Sequence, residues 1–471
     1  MLQYIIILLY FHLFPLAKLV FYISQKSEGS KGRLNFQTHE NVYGDALVVT
    51  LAVFGRYAQN VWVDGVDVGT FFFVDKISIE KLSKKFKSPY YCYSLSQIKL
   101  NLDNFKNLFN KSSPLICFSV KSNSNIKILN ELKKEGCGAD VVSMGELSAA
   151  LKSGIKPSKI VFSGVGKTEE ELLFAIKKKI LLINIESESE AILLNKISQK
   201  ISKKIFVGIR LNPNVNSGNI RKISTGLNDD KFGLTEKNFL NLFKKVNNYK
   251  NLTLQCISVH IGSQILKINP FKSTLNVLEK IINKTNFQFK YIDFGGGIGI
   301  PYENKNNKFD LRKYSNLVEK FALKHRCKII LEPGRFIIGN AGILVTKITY
   351  IKKTKNKDFI ILDAGMNDLI RPALYNARHS IVPSKKNNTN YKKNIEFVGP
   401  ICETSDKFLN VKKYQHIKEK DFLLILDVGA YGMSLASNYC FRPKPAEILI
   451  SKSNIKVIRK KEKINKLIMN N

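Results

Sequence analysis

The stretch that decides the fold runs from Pro114 to Ser143 and reads PLICFSVKSNSNIKILNELKKEGCGADVVS. It begins with a short apolar run, PLICFSV, and ends with a second one, ADVVS. Between them, NIKILNELKKEGCG carries apolar residues at helical spacing and then glycines, which commonly end a helix. This order predicts strand, helix and strand, the repeating unit of a parallel sheet.

The same alternation continues from about residue 113 to residue 340. The apolar runs are PLICFSV, ADVVS, KIVFS, LLINI, IFVGIRL, LQCISVH, YIDFG and CKIILE. Eight strand and helix units in roughly 220 residues match the length of a (β/α)8 barrel. An open doubly wound sheet needs fewer strands and usually an early glycine-rich fingerprint. We therefore predict a TIM-like barrel over residues 113–340.

The segments on either side of the barrel have different patterns. After residue 340 the β runs alternate without long helical segments, which predicts a mostly antiparallel β domain over 341–460 and a tail over 461–471. Residues 71–112 are expected to form a lead-in that partly joins this β domain. The first 25 residues are apolar, as in a signal or a membrane anchor, but His12, Pro15 and Lys18 interrupt them. We favour a dispensable extension within an unassigned segment 1–70, on a cytoplasmic protein with no membrane partner.

Composition excludes several functional classes. The 471 residues are 44% hydrophobic and carry a formal charge of +37. The lysines are scattered through nearly every segment, whereas a nucleic-acid interface needs concentrated charge, so nucleic-acid binding is not expected. The seven cysteines are odd in number, far apart and without CxxC spacing. Neither a disulfide framework nor a metal site is expected, and a reducing compartment fits better.

In a barrel of this kind the active site lies at the carboxyl ends of the strands, so the residues that end each apolar run are the candidate site residues. Any one of them could be purely structural, and a single strand-end lysine or histidine usually is. Those ends carry Lys121, Ser143, Ser163, Glu186, Arg210, His260, Gly295–Gly297, and Glu332 with Arg335.

A phosphate-binding site is indicated by the glycine run Gly295–Gly297 in DFGGGIGI. Residues without Cβ let backbone N–H groups approach an anion closely. Ser263 in HIGSQ adds a hydroxyl, and Arg335 in EPGR adds a guanidinium. A phosphorylated cofactor is the economical hypothesis.

A strand-end lysine beside such a site suggests imine chemistry. We expect burial and a cationic neighbour to lower the pKa of Lys121, so that its amine can attack an aldehyde. Pyridoxal phosphate supplies both an aldehyde and a phosphate. Glu332 could pair with the ring nitrogen of this cofactor, and His260 could stack on the ring.

The motifs of the chain resemble those of the diaminopimelate decarboxylases, which belong to the fold type III pyridoxal phosphate decarboxylases with ornithine and arginine decarboxylases. The resemblance covers about residues 71–460, and the motifs occur in the family's order. They are FSVKSNSN, GADVVSMGEL, ISTGLNDDKFG, HIGSQ, FGGGIGIPY, EPGR, RPALY, CET and GAYGMSLASNYCFRP.

The resemblance implies a role for individual residues. Lys121 would form the imine with pyridoxal phosphate, and Cys402 would return a proton to the substrate after carbon dioxide leaves. Other cofactor contacts would come from Asp140, His260, Ser263, Gly295, Gly296, Gly297, Glu332, Gly334, Arg335 and Tyr431. Substrate contacts would come from Arg335, Arg371, Tyr375, Glu403 and Tyr431.

The implied reaction converts meso-diaminopimelate to L-lysine and carbon dioxide, with Arg371 binding the distal carboxylate and Glu403 the distal ammonium. The resemblance also implies a homodimer with shared sites, because the Cys402 segment enters from a second subunit. An ornithine or arginine decarboxylase, a racemase, and a non-catalytic relative stay open as alternatives. Two departures from the family pattern are Ile220, where a histidine is frequent, and Met144, where glycine is common.

Overall fold

The computed structural model of the chain describes residues 47–49, 58–63, 66–218, 221–302, 307–385, 390–391 and 393–469. The apolar segment of the first 25 residues and Ile220 lie outside these ranges, as does most of the predicted extension. Among the helices of the described residues, none is long and apolar enough to cross a membrane.

The strands fall into two small sheets, a barrel and one large sheet. Their bounds are β1 Leu47–Val49, β2 Ala58–Val63, β3 Val66–Val74, β4 Ile77–Ser78, β5 Tyr90–Ser94, β6 Leu115–Ser119, β7 Gly138–Val141, β8 Ile160–Phe162, β9 Leu182–Ile185, β10 Ile205–Arg210, β11 Leu252–Ser258, β12 Tyr291–Asp293, β13 Lys328–Leu331, β14 Gly342–Lys353, β15 Lys357–Leu362, β16 Ile381–Pro383, β17 Asn390–Tyr391, β18 Asn394–Val398, β19 Lys407–Val411, β20 Tyr414–Gln415, β21 Phe422–Ile425, β22 Ala446–Ser451 and β23 Asn454–Arg459.

The helices follow the barrel strands in the main and supply its outer layer. Their bounds are α1 Ile79–Lys85, α2 Leu95–Lys106, α3 Ile126–Lys134, α4 Met144–Lys152, α5 Glu169–Lys177, α6 Glu188–Lys200, α7 Glu236–Asn247, α8 Asn269–Thr285, α9 Leu311–Lys324, α10 Arg335–Ile338, α11 Arg371–Tyr375 and α12 Ile464–Met469.

Strands β6 to β13 form a closed parallel barrel in chain order. The barrel closes where β13 pairs with β6, with Ile330 opposite Leu115. Its interior is filled by fully buried side chains from several strands, Cys117, Val161, Leu182, Cys256 and Ile330. Each predicted apolar run supplies one of these strands, so the predicted barrel is confirmed.

Polar residues after the strands also start helices. Ser143, one of the strand-end residues, is the N-cap of α4, where its hydroxyl accepts a hydrogen bond from the N–H of Glu146. Met144 follows as the first helical residue, and its N–H donates to Glu171 at 2.8 Å. The departure at Met144 is therefore accommodated at a helix start.

The large sheet forms the second domain and contains a strand from before the barrel. Its path is β19-β18-β15-β14-β5-β22-β23, and β21 pairs with both β14 and β16. The sheet is mixed rather than wholly antiparallel, because β15 runs parallel to β18 and β5 parallel to β22. In this sheet Glu447 of β22 accepts hydrogen bonds from Tyr93 at 2.8 Å and from Asn125 at 2.9 Å. Asn125 caps the first barrel helix, so these bonds join the domain to the barrel.

Candidate active site

Lys121 lies in a single helical turn directly after β6, at the carboxyl end of the barrel. Its Nζ donates a hydrogen bond to Oδ2 of Asp140 at 2.7 Å. Asp140 is the second-to-last residue of the next strand, β7. Ser119 donates to the same oxygen at 2.9 Å and so fixes the carboxylate. About 33% of the Lys121 side chain is exposed, so the amine faces an opening.

The prediction that the pKa of Lys121 is lowered is wrong. Burial does lower the pKa of this amine, but the carboxylates of Asp140 and Glu332 outweigh that effect and raise it above its ordinary value. Nearby anions, rather than a cationic neighbour, dominate the field at this site. Without the cofactor, the amine is therefore held as an ammonium ion.

Glu332 follows β13 and is buried, with 4% of the residue exposed. Burial raises its pKa well above the ordinary value, and the charges of Asp140 and Asp293 raise it further. Its Oε1 atom is buried and has no hydrogen-bond partner among the described residues. An unpartnered buried oxygen is costly, which points to a polar group of a ligand as its missing partner.

His260 follows β11 and presents a neutral ring. Its Nδ1 accepts a hydrogen bond from the N–H of Gly296 at 3.0 Å, which places the ring proton on Nε2. Burial lowers the pKa of His260 well below its ordinary value, and Lys121 and Arg210 lower it further. A neutral imidazole held in this way can lie against a flat aromatic group.

The glycine run after β12 requires the absence of side chains. A methyl group added at Gly296 would lie 2.2 Å from the carbonyl oxygen of Glu332. Gly295 has φ of +63°, and a methyl group there would lie 2.5 Å from the carbonyl oxygen of Val259. The loop therefore brings backbone against the ends of two neighbouring strands and leaves its surface without side chains.

Arg335 contacts two other predicted residues, Ser263 and Tyr431, and also Tyr302. Its guanidinium donates to the hydroxyl of Ser263 at 2.9 Å and to that of Tyr302 at 2.7 Å. It also lies 4.7 Å from the ring centre of Tyr431. Gly334, just before it, packs so closely on the Lys121 turn that an added methyl group would lie 2.9 Å from Ser122. The structure thus brings Lys121, Ser263, Arg335 and Tyr431 to one end of the barrel.

Arg371 is the first residue of α11. Its guanidinium lies 4.7 Å from the ring centre of Tyr302, the tyrosine that also contacts Arg335. Its Nη1 donates to Nε2 of His379 at 2.9 Å, while His379 Nδ1 donates to the carbonyl of Leu426 at 2.8 Å. The Nε of Arg371 is buried and has no partner within the described ranges. Tyr375 ends the same short helix and lies near enough to Arg335 to affect its pKa.

Cys402 and Glu403 are exposed in the chain and lie on the turn between β18 and β19. Both carboxylate oxygens of Glu403 accept hydrogen bonds from hydroxyl groups, one from Tyr439 and one from Ser405. These two predicted site residues thus lie on a surface turn of the β domain, whereas Lys121 lies at the barrel mouth.

Sequence inspection missed two residues of this site. Asp293 ends β12, is fully buried, and accepts the N–H of Gly295 at 2.9 Å. Tyr302 lies between the guanidinium groups of Arg335 and Arg371. Both belong to quoted motifs, YIDFG and FGGGIGIPY, but only the position of Asp293 at a strand end could have marked it.

Two other strand-end residues form a separate buried pair. Arg210 donates to Glu186 at 2.8 Å, and both side chains are almost completely buried. Arg210 also donates to the carbonyl oxygen of His260 at 3.4 Å. This pair holds the strand that carries His260 and contributes to its low pKa.

These residues fit pyridoxal phosphate. Lys121 supplies an amine, Glu332 an unpartnered carboxyl oxygen for a ring nitrogen, and His260 a flat neutral ring. The side-chain-free loop at Gly295–Gly297 and the guanidinium of Arg335 are suited to a phosphate.

Comparison with known proteins agrees with this assignment. The family described as "Pyridoxal-dependent decarboxylase, pyridoxal binding domain" matches residues 95–339. The chain is 39% identical over 401 residues to the diaminopimelate decarboxylase of Aquifex aeolicus, covering 84% of the chain and 94% of that protein. It is 41% identical over 393 residues to that of Helicobacter pylori, covering 82% and 96%.

The fold is shared with solved structures. The diaminopimelate decarboxylase of Helicobacter pylori, crystallised with L-lysine, superposes with a TM-score of 0.79 at 39% identity. The match covers 83% of this chain and 98% of that one.

Proposed function

This chain belongs to the diaminopimelate decarboxylases, which are pyridoxal phosphate-dependent carboxy-lyases, and from that premise we propose how its residues divide the work. The reaction removes one carboxylate of meso-diaminopimelate as carbon dioxide and yields L-lysine, in lysine biosynthesis. The observation that carries the assignment is the Lys121–Asp140 pair beside the unpartnered oxygen of Glu332.

When bound, pyridoxal phosphate supplies an aldehyde that condenses with amines and a ring that withdraws electrons from the carbon that loses carbon dioxide. Lys121 provides the amine on the protein. Because Asp140 accepts a hydrogen bond from its Nζ, the carboxylate can take up the proton that this amine must release. The exposure of about 33% of the side chain gives that proton a path to water.

Glu332 would hold a proton at the ring nitrogen of the cofactor. Its raised pKa makes this carboxyl group hold a proton more readily than an ordinary glutamate, and a ring nitrogen could share that proton. Asp293 is close enough to raise the pKa of Glu332, and its carboxylate accepts the N–H of Gly295 in the glycine loop. One buried carboxyl pair thus supports both the nitrogen site and the phosphate site.

The two ends of the substrate would be bound by opposite charges. Arg371, with its unpartnered Nε, would bind the distal carboxylate, and Glu403 would bind the distal ammonium. Arg335, Tyr375 and Tyr431 would line the space between them. Ornithine has no distal carboxylate, so a buried arginine at this position favours meso-diaminopimelate.

Cys402 would return a proton from its Sγ to the carbon that has lost carbon dioxide. Because Cys402 and Glu403 are exposed on the β domain, we propose that they enter the site of a second subunit in a homodimer. Each site would then combine the barrel of one subunit with the 399–407 turn of the other.

We also propose that the protein works in the cytoplasm. The cysteines Cys92, Cys117, Cys137, Cys256, Cys327, Cys402 and Cys440 are free thiols, as a reducing compartment maintains.

The visible spectrum of the purified enzyme with pyridoxal phosphate tests the central assignment. The wild type should show the visible band of lysine-bound pyridoxal, and Lys121→Ala should lose that band together with carbon dioxide release from meso-diaminopimelate. Lys245→Ala, an exposed lysine on α7, is the matched control and should behave as the wild type. A Lys121→Ala protein with an unchanged spectrum would refute the assignment. Carbon dioxide release from L-ornithine is measured in parallel, because an ornithine decarboxylase would release it and a diaminopimelate decarboxylase would not.

A further inference from the structure

Glu403 is an exposed residue whose carboxylate is nonetheless fixed. The hydroxyl of Tyr439 donates to Oε1, and the hydroxyl of Ser405 donates to Oε2 at 2.8 Å. An exposed glutamate usually samples several rotamers at little cost. Two donors on different oxygens set both the position and the plane of this carboxylate.

The turn that carries Glu403 is itself rigidly built. The carboxylate of Asp406 accepts the backbone N–H of Met366 and that of Ile401, both at 2.7 Å. A methyl group added at Gly399 would lie 2.3 Å from the same carboxylate, so this close approach requires glycine. The backbone of Glu403 therefore has a defined position before any substrate arrives.

Tyr439 is held from the other side by an unusual backbone. Cys440 and Phe441, which follow it, have φ of 51° and 56°, in the left-handed region that non-glycine residues rarely adopt. Asn438 anchors the segment by donating to the carbonyl of Arg442 at 3.0 Å and to Glu462 at 2.6 Å. Two successive residues in this region persist only when their surroundings enforce it, and such conformations cluster at functional sites.

We propose that Tyr439 and Ser405 are positioning residues that aim the Glu403 carboxylate at the distal ammonium of the substrate. The inference rests on the role proposed for Glu403. Each carboxylate oxygen can accept two hydrogen bonds, so one hydroxyl per oxygen leaves further lone pairs for an ammonium group. The two hydroxyls would thus favour substrates with a second amino group without touching the reacting carbon.

A pair of substrates tests this directly. The holoenzyme is assayed for carbon dioxide release from meso-diaminopimelate and from 2-aminopimelate, which lacks the distal amino group. Tyr439→Phe should lower kcat/KM for meso-diaminopimelate roughly tenfold, mainly through KM, because a charge-assisted contact is weakened. It should change kcat/KM for 2-aminopimelate by less than about twofold, since no ammonium is bound.

Ser405→Ala provides a second variant and should act in the same direction, about threefold, because it leaves the tyrosine bond in place. Tyr249→Phe is the matched control, since Tyr249 precedes β11 at the opposite end of the barrel. This variant should leave kcat/KM unchanged for both substrates. The visible spectrum of the bound cofactor and the thermal midpoint confirm that each variant is folded and loaded.

Two results would overturn the inference. In one, Tyr439→Phe and Ser405→Ala lower kcat/KM equally for both substrates or for neither, while Glu403→Gln lowers kcat/KM for meso-diaminopimelate alone. The Glu403 assignment would then stand without its positioning residues. In the other, Glu403→Gln also treats both substrates alike, which would reject the ammonium contact itself.

Discussion

At the scale of single residues, charge state is set by neighbours that the chain brings from other strands. Lys121 has the partial burial that lowers the pKa of an amine, yet Asp140 and Glu332 raise it. For Glu332, burial and the charges of Asp140 and Asp293 all raise the pKa. For both residues the direction of the pKa shift is therefore set by burial and by charges that the fold places nearby.

A second lysine shows what a buried charge contributes to stability. The side chain of Lys167 is 0% exposed and its Nζ lies 2.6 Å from Glu190, with further bonds to two carbonyl oxygens. Lys167→Met leaves the buried carboxylate of Glu190 without a cation, which should cost ~3 kcal/mol. We expect the thermal midpoint, measured by calorimetry on the holoenzyme, to fall by several degrees.

The matched control for Lys167 is Lys245→Met, which removes an exposed lysine paired with Glu188. A solvent-exposed pair of this kind contributes little to stability because water screens it, so the midpoint should barely change. Equal shifts for the two variants would contradict the view that burial sets the energy of the Lys167 pair.

At the scale of elements, the loops after the parallel strands converge because those strands share one direction. The turn after β6 supplies Lys121, the loop after β12 supplies Gly295–Gly297, and the segment after β13 supplies Glu332 and, at the start of α10, Arg335. Close contacts between these loops are made by backbone. Their spacing is therefore sensitive to a single added carbon atom.

Gly296→Ala tests this sensitivity. Its methyl group would meet the carbonyl oxygen of Glu332 at 2.2 Å, and backbone on both sides must move to relieve the contact. We expect a loss of at least about tenfold in the affinity for pyridoxal phosphate, measured by titrating the cofactor-free protein and following absorbance.

Gly166→Ala is the matched control for this loop, because a methyl group there would meet no atom within 4 Å. Its cofactor affinity should equal that of the wild type. If Gly296→Ala bound the cofactor as tightly as Gly166→Ala does, the glycine loop could not be part of the cofactor site.

At the scale of the whole molecule, the β domain is built from segments on both sides of the barrel and, in the proposed dimer, contributes to the active site of the other subunit. Strand β5 precedes the barrel and lies between β14 and β22, which follow it, so the large sheet joins chain segments from both sides of the barrel. The opposite part of that sheet carries the turn with Cys402 and Glu403. In the proposed dimer, this turn supplies the site of the other subunit.

Mixing two inactive variants tests this shared site. Lys121→Ala and Cys402→Ala should each be nearly inactive, because each removes one essential group from every site. In mixed dimers one site loses both groups and the other keeps both. Random exchange of subunits should therefore restore about a quarter of the wild-type activity. A mixture that stays inactive, although mass measurement shows mixed dimers, would reject shared sites.

Much of the barrel could be predicted from sequence, because apolar period and chain order are local properties. The eight apolar runs correspond to β6–β13, and the predicted residues Lys121, His260, Gly296 and Glu332 follow four of these strands. The β domain was less accessible, since the parallel pairing of β5 with β22 joins segments separated by the whole barrel. Tyr302 was missed because nothing near it in the sequence reveals the two arginines beside it.

The sequence by itself determined which residue types end each strand, because a strand and its first loop residues are written consecutively along the chain. Only the tertiary structure decided what those residues do to one another. The charge of Lys121 depends on Asp140 and Glu332, and the orientation of Glu403 depends on Tyr439. Hydrogen bonds require direct contact and charge interactions weaken with distance, so only folding brings these groups close enough to act.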